Sequence, residues 1–406
     1  MLTANFFRHR EILESLSKEI SSPFFYYDIE FLRKRMKNLR EQSLRHGAKL
    51  FFAVKANPLS RILTSASESG LGFDIASVGE IEQLERFVGD AEIICTGPAK
   101  SRVFLESALR KGADIFIIES LRQLKDLDDL ARSFEKRVKA LLRVQLKWEK
   151  SEGNILGGDE VSAFGLPPEE WIKCKRCIAS LEAVSIQGFH CFQWGNILDA
   201  KKLSEIWNKV GDSCRTLSEK IAVPFKVLDV GGGLGVPYKE GEEELDWNFV
   251  LESLSLLKER FALEEIFLEM GRYAIAPSGI YCCKVVDRKF VYGKDLLVLD
   301  GGINHLLRPA LVGASFPCRL LRESRSDGKE FQLHGPLCTS LDCLGSVFLP
   351  GDVREGDRLL FFQCAAYGFT ESMPYFLCHP TAAEVCFDGG ETNILRSPKN
   401  AADYLC

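Results

Sequence analysis

Short apolar, β-branched or aromatic runs alternate with amphipathic stretches of helical length from about residue 24 to residue 272. Regular alternation of strand and helix predicts a parallel sheet, and roughly eight such units favour a closed (β/α)8 barrel over an open sheet. The predicted strands are FFYYDI (24–29), FFAVKA (51–56), GFDIAS (72–77), EIICTG (92–97), DIFIIES (114–120), LLRVQL (141–146), IQGFHCF (186–192), VLDVGGG (227–233) and IFLEMGR (266–272).

The pattern changes after residue 272, where strand-like runs follow one another between turns and helical periodicity nearly disappears. This pattern predicts a C-terminal all-β domain, a sandwich or a barrel. We therefore expect a barrel domain over 28–272 and a β domain formed by 1–27 together with 273–406. The runs are GIYCCKVVDRKF, KDLLVLDGG, KEFQLHGP, GSVFLPGD and DRLLFFQCAAYG.

Composition narrows the class of protein. The 406 residues are 46% hydrophobic and 27% charged, which excludes disordered, collagen-like and coiled-coil chains. A formal net charge of -5 gives no electrostatic reason to expect nucleic acid or an anionic membrane as a partner. The charged N-terminus lacks a secretory signal, and no apolar run approaches the ~18 residues of a membrane span. We expect a cytoplasmic protein whose 14 scattered cysteines are reduced.

A single CxxC pair, Cys174 and Cys177, lies in a segment of helical character. No second pair or histidine cluster stands near it, so the sequence predicts no metal site there.

Polar motifs fall where predicted barrel strands end, on the face that holds the active site in this architecture. Lys55 closes FFAVKANP, where loss of hydration favours a neutral, nucleophilic amine, although the lysine could equally extend into solvent. VLDVGGGLG (227–235) has three consecutive glycines that let backbone amides approach an anion, or that simply form a flexible turn.

Two further motifs offer ionisable groups at strand ends. In EMGR, Glu269 could pair with a cationic ring nitrogen and Arg272 with phosphate, or the two could form a structural ion pair. His190 lies among aromatic residues in GFHCFQWGN, where a lone histidine is more often packed in the core than catalytic. Loop-like segments of the second half add a thiol, a carboxylate and a phenol, namely Cys338, Asp342 and Tyr367.

Taken together, the motifs resemble those of the fold-type III pyridoxal-phosphate decarboxylases, the group of diaminopimelate and ornithine decarboxylases. The match runs in order over nearly the whole chain. The resemblance implies pyridoxal 5'-phosphate as cofactor and the decarboxylation of an amino acid to carbon dioxide and an amine. The motifs are VKANP, FDIAS with VGE, FH, DVGGGLG, EMGR, DGGINHLLRPAL, GPLCTSLD, and AAYGFTES with HPTAAEV.

The resemblance also implies roles for single residues. Lys55 would bind the cofactor covalently, and Asp74 would lie near its phenolic side. His190 would stack on the pyridine ring, while Glu269 would keep the ring nitrogen protonated. The remaining implied cofactor contacts, mostly to phosphate, are Gly231, Gly232, Gly233, Gly271, Arg272 and Tyr367.

In this family a cysteine and an acid enter the active site from the other subunit, so the resemblance implies an obligate homodimer with shared sites. Cys338 would then be the acid that protonates the α-carbon after carbon dioxide leaves. The implied substrate contacts are Arg308, Thr339, Asp342 and Tyr367.

Departures from the family pattern bear on the substrate. Thr339 stands where the relatives carry Glu or Asp, and Val312 replaces a tyrosine, whereas Arg308 is retained. Without a carboxylate a distal ammonium would be poorly paired, at a cost of ~1–3 kcal/mol. The sequence therefore favours the offshoot of siderophore or antibiotic biosynthesis, in which the amino acid is attached to citrate or to a carrier protein. Two other departures are Phe192-Gln193 in place of a Gly-Ser pair that holds phosphate, and Met270 in place of proline.

Three other functions stay open at this point. One is diaminopimelate decarboxylation for lysine biosynthesis, and another is an alanine-racemase-like activity on the same barrel, which the GPLC and AAYG motifs disfavour. The third is an inactive regulatory homologue. Retention of Lys55, Glu269, Cys338 and Tyr367 argues against it.

Overall fold

The computed structural model describes residues 2–113, 115–147, 162–192, 194–239, 241–313 and 315–405, with side chains from residue 9 onward. The chain divides into two compact units. One, the barrel unit, comprises Arg33–Gly235 and Glu244–Ala274. The other, the sheet unit, comprises Met1–Leu32, Val236–Glu243 and Ile275–Cys406.

Helices and strands alternate regularly in the barrel unit and give way to strands in the C-terminal part. The helices are α1 (Leu2–Glu19), α2 (Ile29–Arg45), α3 (Ser60–Glu68), α4 (Val78–Phe87), α5 (Arg102–Lys111), α6 (Leu121–Ser133), α7 (Pro168–Lys173), α8 (Lys175–Ala179), α9 (Ala200–Ile221), α10 (Trp247–Phe261), α11 (Arg272–Ile275) and α12 (Arg308–Val312). The strands are β1 (Phe24–Asp28), β2 (Ala48–Ala53), β3 (Gly72–Ile75), β4 (Ile93–Cys95), β5 (Ile115–Ile118), β6 (Val138–Arg143), β7 (Val184–His190), β8 (Val227–Asp229), β9 (Glu265–Met270), β10 (Gly279–Val291), β11 (Lys294–Leu299), β12 (Cys318–Leu320), β13 (Gly328–His334), β14 (Cys343–Pro350), β15 (Arg358–Phe362), β16 (Ala383–Asp388) and β17 (Glu391–Arg396).

Strands β2 to β9 form a closed barrel in which each strand is parallel to the next and β9 returns to β2. This confirms the predicted (β/α)8 architecture. The strands read as apolar runs because both of their faces are buried, one by the barrel interior and one by the surrounding helices. Side chains that fill the interior are Phe51, Ile94, Ile115, Ile117, Leu141, Val227 and Phe267.

The approach of β7 to β8 depends on one glycine. The pairing register of β6 with β7 shifts between Ala140 and Leu141, and Leu141 is paired with Gly188. A Cβ placed on Gly188 would lie 1.9 Å from the carbonyl oxygen of Val227, a separation that no carbon can adopt. Any side chain here must push β8 away from β7.

We therefore expect Gly188→Ala to lower the free energy of unfolding by about 1–3 kcal/mol, since the added methyl group overpacks the barrel wall. Urea unfolding measures the change. Gly89→Ala is the matched control, because nothing lies within 4 Å of a Cβ at that position. Equal stability of the two variants would contradict this account of the barrel wall.

The sheet unit contains a nine-stranded mixed sheet with the main path β14-β13-β11-β10-β1-β16-β17. Strand β1 is antiparallel to β10 and parallel to β16. The predicted C-terminal β domain is thus confirmed, with β1 from the N-terminal region as a central strand. Its core contains Leu13, Leu16, Phe24, Tyr26, Ile280, Cys282, Leu321, Leu360, Phe362, Ala383 and Val385.

Three strands of this sheet, β12, β16 and β17, were not predicted. Strand β12 has only three residues, and β17 begins with four exposed residues and carries little apolar pattern. In the barrel unit, Cys174 lies between the short helices α7 and α8, and Cys177 lies on α8, as their helical context predicted. Among the described helices, none has the length and apolar character needed to cross a membrane.

Candidate active site

The carboxyl end of every barrel strand carries a polar side chain, and this ring of residues forms the candidate site. Lys55 lies on the 3-10 turn Val54–Ala56 just after β2, rather than inside the strand as predicted. The carboxyl ends of barrel strands meet at one face, so residues far apart in sequence become neighbours. The others, in strand order, are Asp74, Thr96, Glu119, Arg143, His190, Asp229 and Glu269.

On one side of this face Lys55 and Asp74 form an ion pair. Nζ of Lys55 lies 2.7 Å from Oδ2 of Asp74, and the Thr96 hydroxyl donates to Oδ1 at 2.6 Å. The lysine side chain is 45% exposed, so it is less dehydrated than the sequence suggested. Burial and the charge of Glu269 raise the pKa of Asp74, against the opposing effect of Lys55.

On the other side, His190, Asp229 and Glu269 bring their polar atoms within 4.8 Å of one another, and all three are buried. Nε2 of His190 lies 3.2 Å from Oε1 of Glu269. Within the described part of the chain, no partner with hydrogen-bond geometry reaches either His190 ring nitrogen, Oε1 of Glu269 or Oδ2 of Asp229. Buried polar atoms of this kind require a partner, which a bound polar molecule can supply.

Burial and mutual contact set the charges of this group. Burial lowers the pKa of His190, although Glu269 opposes the change. Burial acts to raise the pKa of Glu269, yet contact with His190 and the charges of Lys55 and Arg143 hold it at about 2. Burial and the Glu269 charge raise the pKa of Asp229 well above its usual range. Burial thus favours the neutral imidazole of His190, whereas the surrounding cations favour the ionised carboxylate of Glu269.

The glycine run follows β8, which ends at Asp229, four residues before the end of the predicted strand. Gly231 and Gly233 have φ angles of +67° and +99°, conformations that favour glycine. A Cβ on Gly232 would lie 2.7 Å from the carbonyl oxygen of Glu269. The run therefore forms a tight loop without side chains next to the carboxylate.

The flanks of this loop include further residues that are predicted from the sequence to bind phosphate. Oδ1 of Asp229 accepts a hydrogen bond from the Gly231 amide at 2.8 Å. Gly271 and Arg272 follow β9 directly, and α11 begins at Arg272. Phe192 packs against Gly231, where a Cβ would meet its side chain at 2.7 Å. The predicted departure at Gln193 lies outside the described residues.

The sheet unit holds the remaining predicted site residues on three linked loops. Oδ1 and Oδ2 of Asp342 accept hydrogen bonds from the amides of Ile303 and Leu337, at 2.8 and 2.7 Å. Burial raises the pKa of this carboxyl, while the two amides lower it. Both oxygens of Asp342 are thus engaged with backbone, which suits a positioning function, and its contact with substrate stays a prediction.

Arg308 and Tyr367 lie together in this unit. Nη1 of Arg308 is 3.1 Å from Oε2 of Glu371, and its guanidinium lies 6.0 Å from the centre of the Tyr367 ring. Tyr367 has a φ of +53°, an uncommon conformation for an aromatic residue that is frequent at functional sites. On a neighbouring loop, Cys338 is exposed and Thr339 follows it.

Sequence reasoning missed five residues of the barrel face. They share one signal, a polar side chain at or just after the carboxyl end of an apolar strand, or within the loop that follows. Lys100 has the weakest signal, because it lies on the loop between β4 and α5 and only the fold brings it to Glu119. The five are Thr96, Lys100, Glu119, Arg143 and Asp229.

The family model for "pyridoxal-dependent decarboxylase, pyridoxal binding domain" matches residues 30–276, more than half of the chain. The chain belongs to the pyridoxal-dependent decarboxylases. It is accordingly an enzyme, a carboxy-lyase that acts with pyridoxal phosphate.

Known members of the pyridoxal-dependent decarboxylases align over nearly the whole chain. L-glutamyl-[BtrI acyl-carrier protein] decarboxylase of Niallia circulans is 29% identical, covering 97% of this chain and 95% of that protein. The 2-[(L-alanin-3-ylcarbamoyl)methyl]-2-hydroxybutanedioate decarboxylase of Staphylococcus aureus is 26% identical, covering 88% and 92%. Diaminopimelate decarboxylase of Helicobacter pylori, solved with L-lysine, shares the fold with a TM-score of 0.86 at 24% identity, covering 96% and 98%.

The barrel face fits the cofactor of the pyridoxal-dependent decarboxylases. Oε1 of the buried Glu269 carboxylate lacks a hydrogen-bond donor of good geometry among the described residues, and a protonated ring nitrogen is such a donor. The glycine loop has no side chains to keep a ligand away from its backbone, which suits the close approach of a phosphate group to backbone amides. Lys55 provides an amine on the same face.

Proposed function

We propose that this enzyme decarboxylates an L-amino acid attached to citrate or to a carrier protein, and releases carbon dioxide and the corresponding amine. The observation that carries this proposal is the residue after Cys338. The amide of Thr339 donates to the Leu337 carbonyl at 2.8 Å, and its hydroxyl accepts from the Leu341 amide at 3.3 Å. Thr339 thus serves a turn and offers no charge to a distal ammonium.

Acids on the neighbouring loops do not replace the missing charge. Asp342 is held by two backbone amides, and Glu371 is paired with Arg308. A free diamino acid would bring an ammonium to a region where both carboxylates are already engaged. Two relatives support a conjugated substrate, since their names specify a carrier-attached glutamyl group and an alanyl group linked to a hydroxybutanedioate.

Lys55 would hold the cofactor covalently in this proposal, and Asp74, whose Oδ2 lies 2.7 Å from Nζ, would keep the lysine side chain in position. When bound, pyridoxal phosphate accepts the electron pair that remains as the α-carboxylate departs. Glu269 keeps the ring nitrogen protonated through its ionised carboxylate. His190 is buried, which lowers its pKa, and it would contact the ring without competing for that charge.

The glycine loop and Arg272 bind the phosphate group, with backbone amides and a guanidinium as donors. In the sheet unit, Tyr367 and Arg308 line the substrate region, and the Arg308 guanidinium retains donors beyond the one directed at Glu371. The exposed Cys338 thiol delivers a proton to the α-carbon.

Cys338 acts in the site of a partner subunit in this proposal, and the enzyme is a homodimer. Support comes from apolar side chains that are exposed on the same loops as Cys338 and Arg308. The Met373 amide donates to the Ile303 carbonyl at 3.2 Å, which links two of these loops. Exposed apolar groups that form a patch commonly mark protein interfaces. They are Leu311, Val312, Leu341, Met373, Tyr375, Phe376 and Leu377.

Carbon dioxide release from a panel of amino acids tests the proposed substrate class. The panel contains free meso-diaminopimelate, lysine, ornithine, arginine and glutamate, a citryl-conjugated diamino acid, and a glutamyl group on a carrier protein. We expect a conjugated substrate to have the highest kcat/KM. Turnover of free diaminopimelate at about 10⁴ M⁻¹s⁻¹ or better, an ordinary enzymatic efficiency, would contradict the proposal and favour lysine biosynthesis.

Restoring the missing charge should reverse the preference. We expect Thr339→Glu to raise kcat/KM for free diaminopimelate relative to the conjugated substrate by about tenfold, an ion-pair effect of ~1.4 kcal/mol. Thr339→Gln, which has the same length without the charge, is the control. An equal response to both substitutions would show that charge at this position does not select the substrate.

A further inference from the structure

A buried ionic cluster lies on the barrel face beside the residues assigned above to the cofactor. Lys100, Glu119 and Arg143 are each less than a tenth exposed. Oε1 of Glu119 is 3.3 Å from Nζ of Lys100 and 3.2 Å from Nη1 of Arg143. The cluster thus buries two cationic side chains against one carboxylate.

Every charged end in the cluster is held in place. Oε2 of Glu119 accepts a hydrogen bond from the Gly165 amide at 3.1 Å, and Lys100 also donates to the Gly97 carbonyl. The Arg143 guanidinium lies 4.6 Å from the centre of the Phe164 ring. Arg143 therefore occupies one fixed position.

Burying an excess positive charge is costly, and apolar residues of similar size would stabilise a barrel wall at least as well. Stability alone therefore does not explain the cluster. A functional role for a fixed positive charge would explain the cluster, if that charge lies close to a group whose ionisation it controls.

Arg143 faces the predicted catalytic pair. It is directly opposite His190 in the β6–β7 register, and His190 is opposite Asp229 in β7–β8. Burial is the largest cause of the lowered pKa of His190, and contact with His190 of that of Glu269; the Arg143 charge acts in the same direction on both groups. Four charged or titratable groups face His190 from the neighbouring strands, namely Arg143 from β6, Glu119 after β5, Asp229 from β8 and Glu269 from β9. Glu269 in turn interacts electrostatically with Lys55 and Asp74.

We propose that Arg143, anchored by Glu119, is a positioning residue that keeps the proton off His190 and the negative charge on Glu269. The inference rests on the roles proposed above for these two residues. Without the guanidinium, Glu269 would draw a proton onto His190, and the imidazolium would neutralise the carboxylate. The charge of Glu269 would then serve His190 instead of the ring nitrogen of the cofactor.

Nitrogen-15 NMR of the histidine rings in the cofactor-loaded full-length enzyme measures this directly, with His190→Gln assigning the signal. In the wild type we expect a neutral His190 ring at pH 7. In Arg143→Met we expect the protonation midpoint to rise by at least about one pH unit, a tenfold change in the protonation constant. Arg143→Lys should restore most of the wild-type behaviour.

Two further variants separate electrostatics from loosened packing. Trp171→Phe removes the hydrogen bond of 2.9 Å from the indole to the Arg143 carbonyl and should leave the His190 midpoint unchanged. Glu119→Gln keeps a side-chain oxygen that can accept from Nη1 of Arg143, so the guanidinium stays anchored, but it removes a negative charge and should lower or retain the midpoint. Loosened packing would instead hydrate His190 and raise the midpoint in every variant. An unchanged midpoint in Arg143→Met, or a raised one in Glu119→Gln, would overturn the proposal. Neither result bears on whether the wild-type enzyme releases carbon dioxide.

Discussion

Lys55→Ala will abolish decarboxylation and the absorbance of lysine-linked cofactor, because the substitution removes the amine that lies on the barrel face 2.7 Å from Asp74. In the proposed site Glu269 and the glycine loop also hold the cofactor, so we expect residual non-covalent binding that dialysis removes. Absorbance spectra before and after borohydride reduction distinguish the two kinds of binding.

Lys49→Ala is the matched control. Lys49 lies on the same strand, β2, near its opposite end, and pairs with the surface acids Glu92 and Glu265 at 3.2 and 2.6 Å. We expect this variant to keep the cofactor spectrum and wild-type turnover. A Lys55→Ala protein that retained a reducible adduct would show that another lysine holds the cofactor.

Cys338→Ala is expected to lower kcat by about 10²–10⁴-fold, the usual contribution of a positioned general acid, while the cofactor spectrum remains normal. In the proposed function the thiol acts only after carbon dioxide has left, so the substitution slows the protonation step and leaves cofactor binding unchanged. Cys378→Ala is the control, since Cys378 is also exposed in the same unit. A normal kcat in Cys338→Ala would exclude the thiol as the proton donor.

Mixing the inactive variants tests where the thiol acts. If Cys338 completes the site of the partner, a heterodimer of Lys55→Ala and Cys338→Ala has one intact site. Random exchange in an equal mixture then restores about a quarter of wild-type activity, since half of the dimers are mixed and each has one functional site in two. Subunit exchange is first demonstrated with differently tagged wild-type chains. Complete exchange without recovered activity would contradict the shared site.

Much of the fold could be predicted because burial patterns are local properties of the sequence. Parallel barrel strands are buried on both faces, so runs such as DIFIIES stand out between amphipathic helices. The glycine run and EMGR were found for the same reason, as polar or flexible residues directly after apolar runs. Strand β17 was missed because exposed edge residues carry no such contrast.

The ionic cluster at Lys100, Glu119 and Arg143 illustrates what the sequence alone does not reveal. Each residue is unremarkable in its own segment, and 43 positions separate the first from the last. Only barrel closure brings the loop after β4 and the ends of β5 and β6 together and excludes water from their charges. Likewise, Lys55 forms an ion pair with Asp74 at the end of the neighbouring strand, and the apolar run before Lys55 does not reveal this contact.

The central claim, that the carboxyl face of this barrel binds the cofactor and Lys55 carries it, is tested most directly by peptide mapping. The wild-type holoenzyme is reduced with borohydride and digested, and the modified peptide is sequenced by mass spectrometry. We predict a pyridoxyl group of cofactor mass on Lys55 and on no other lysine. Labelling of Lys100 or of a lysine in the sheet unit, with Lys55 unmodified, would contradict the claim.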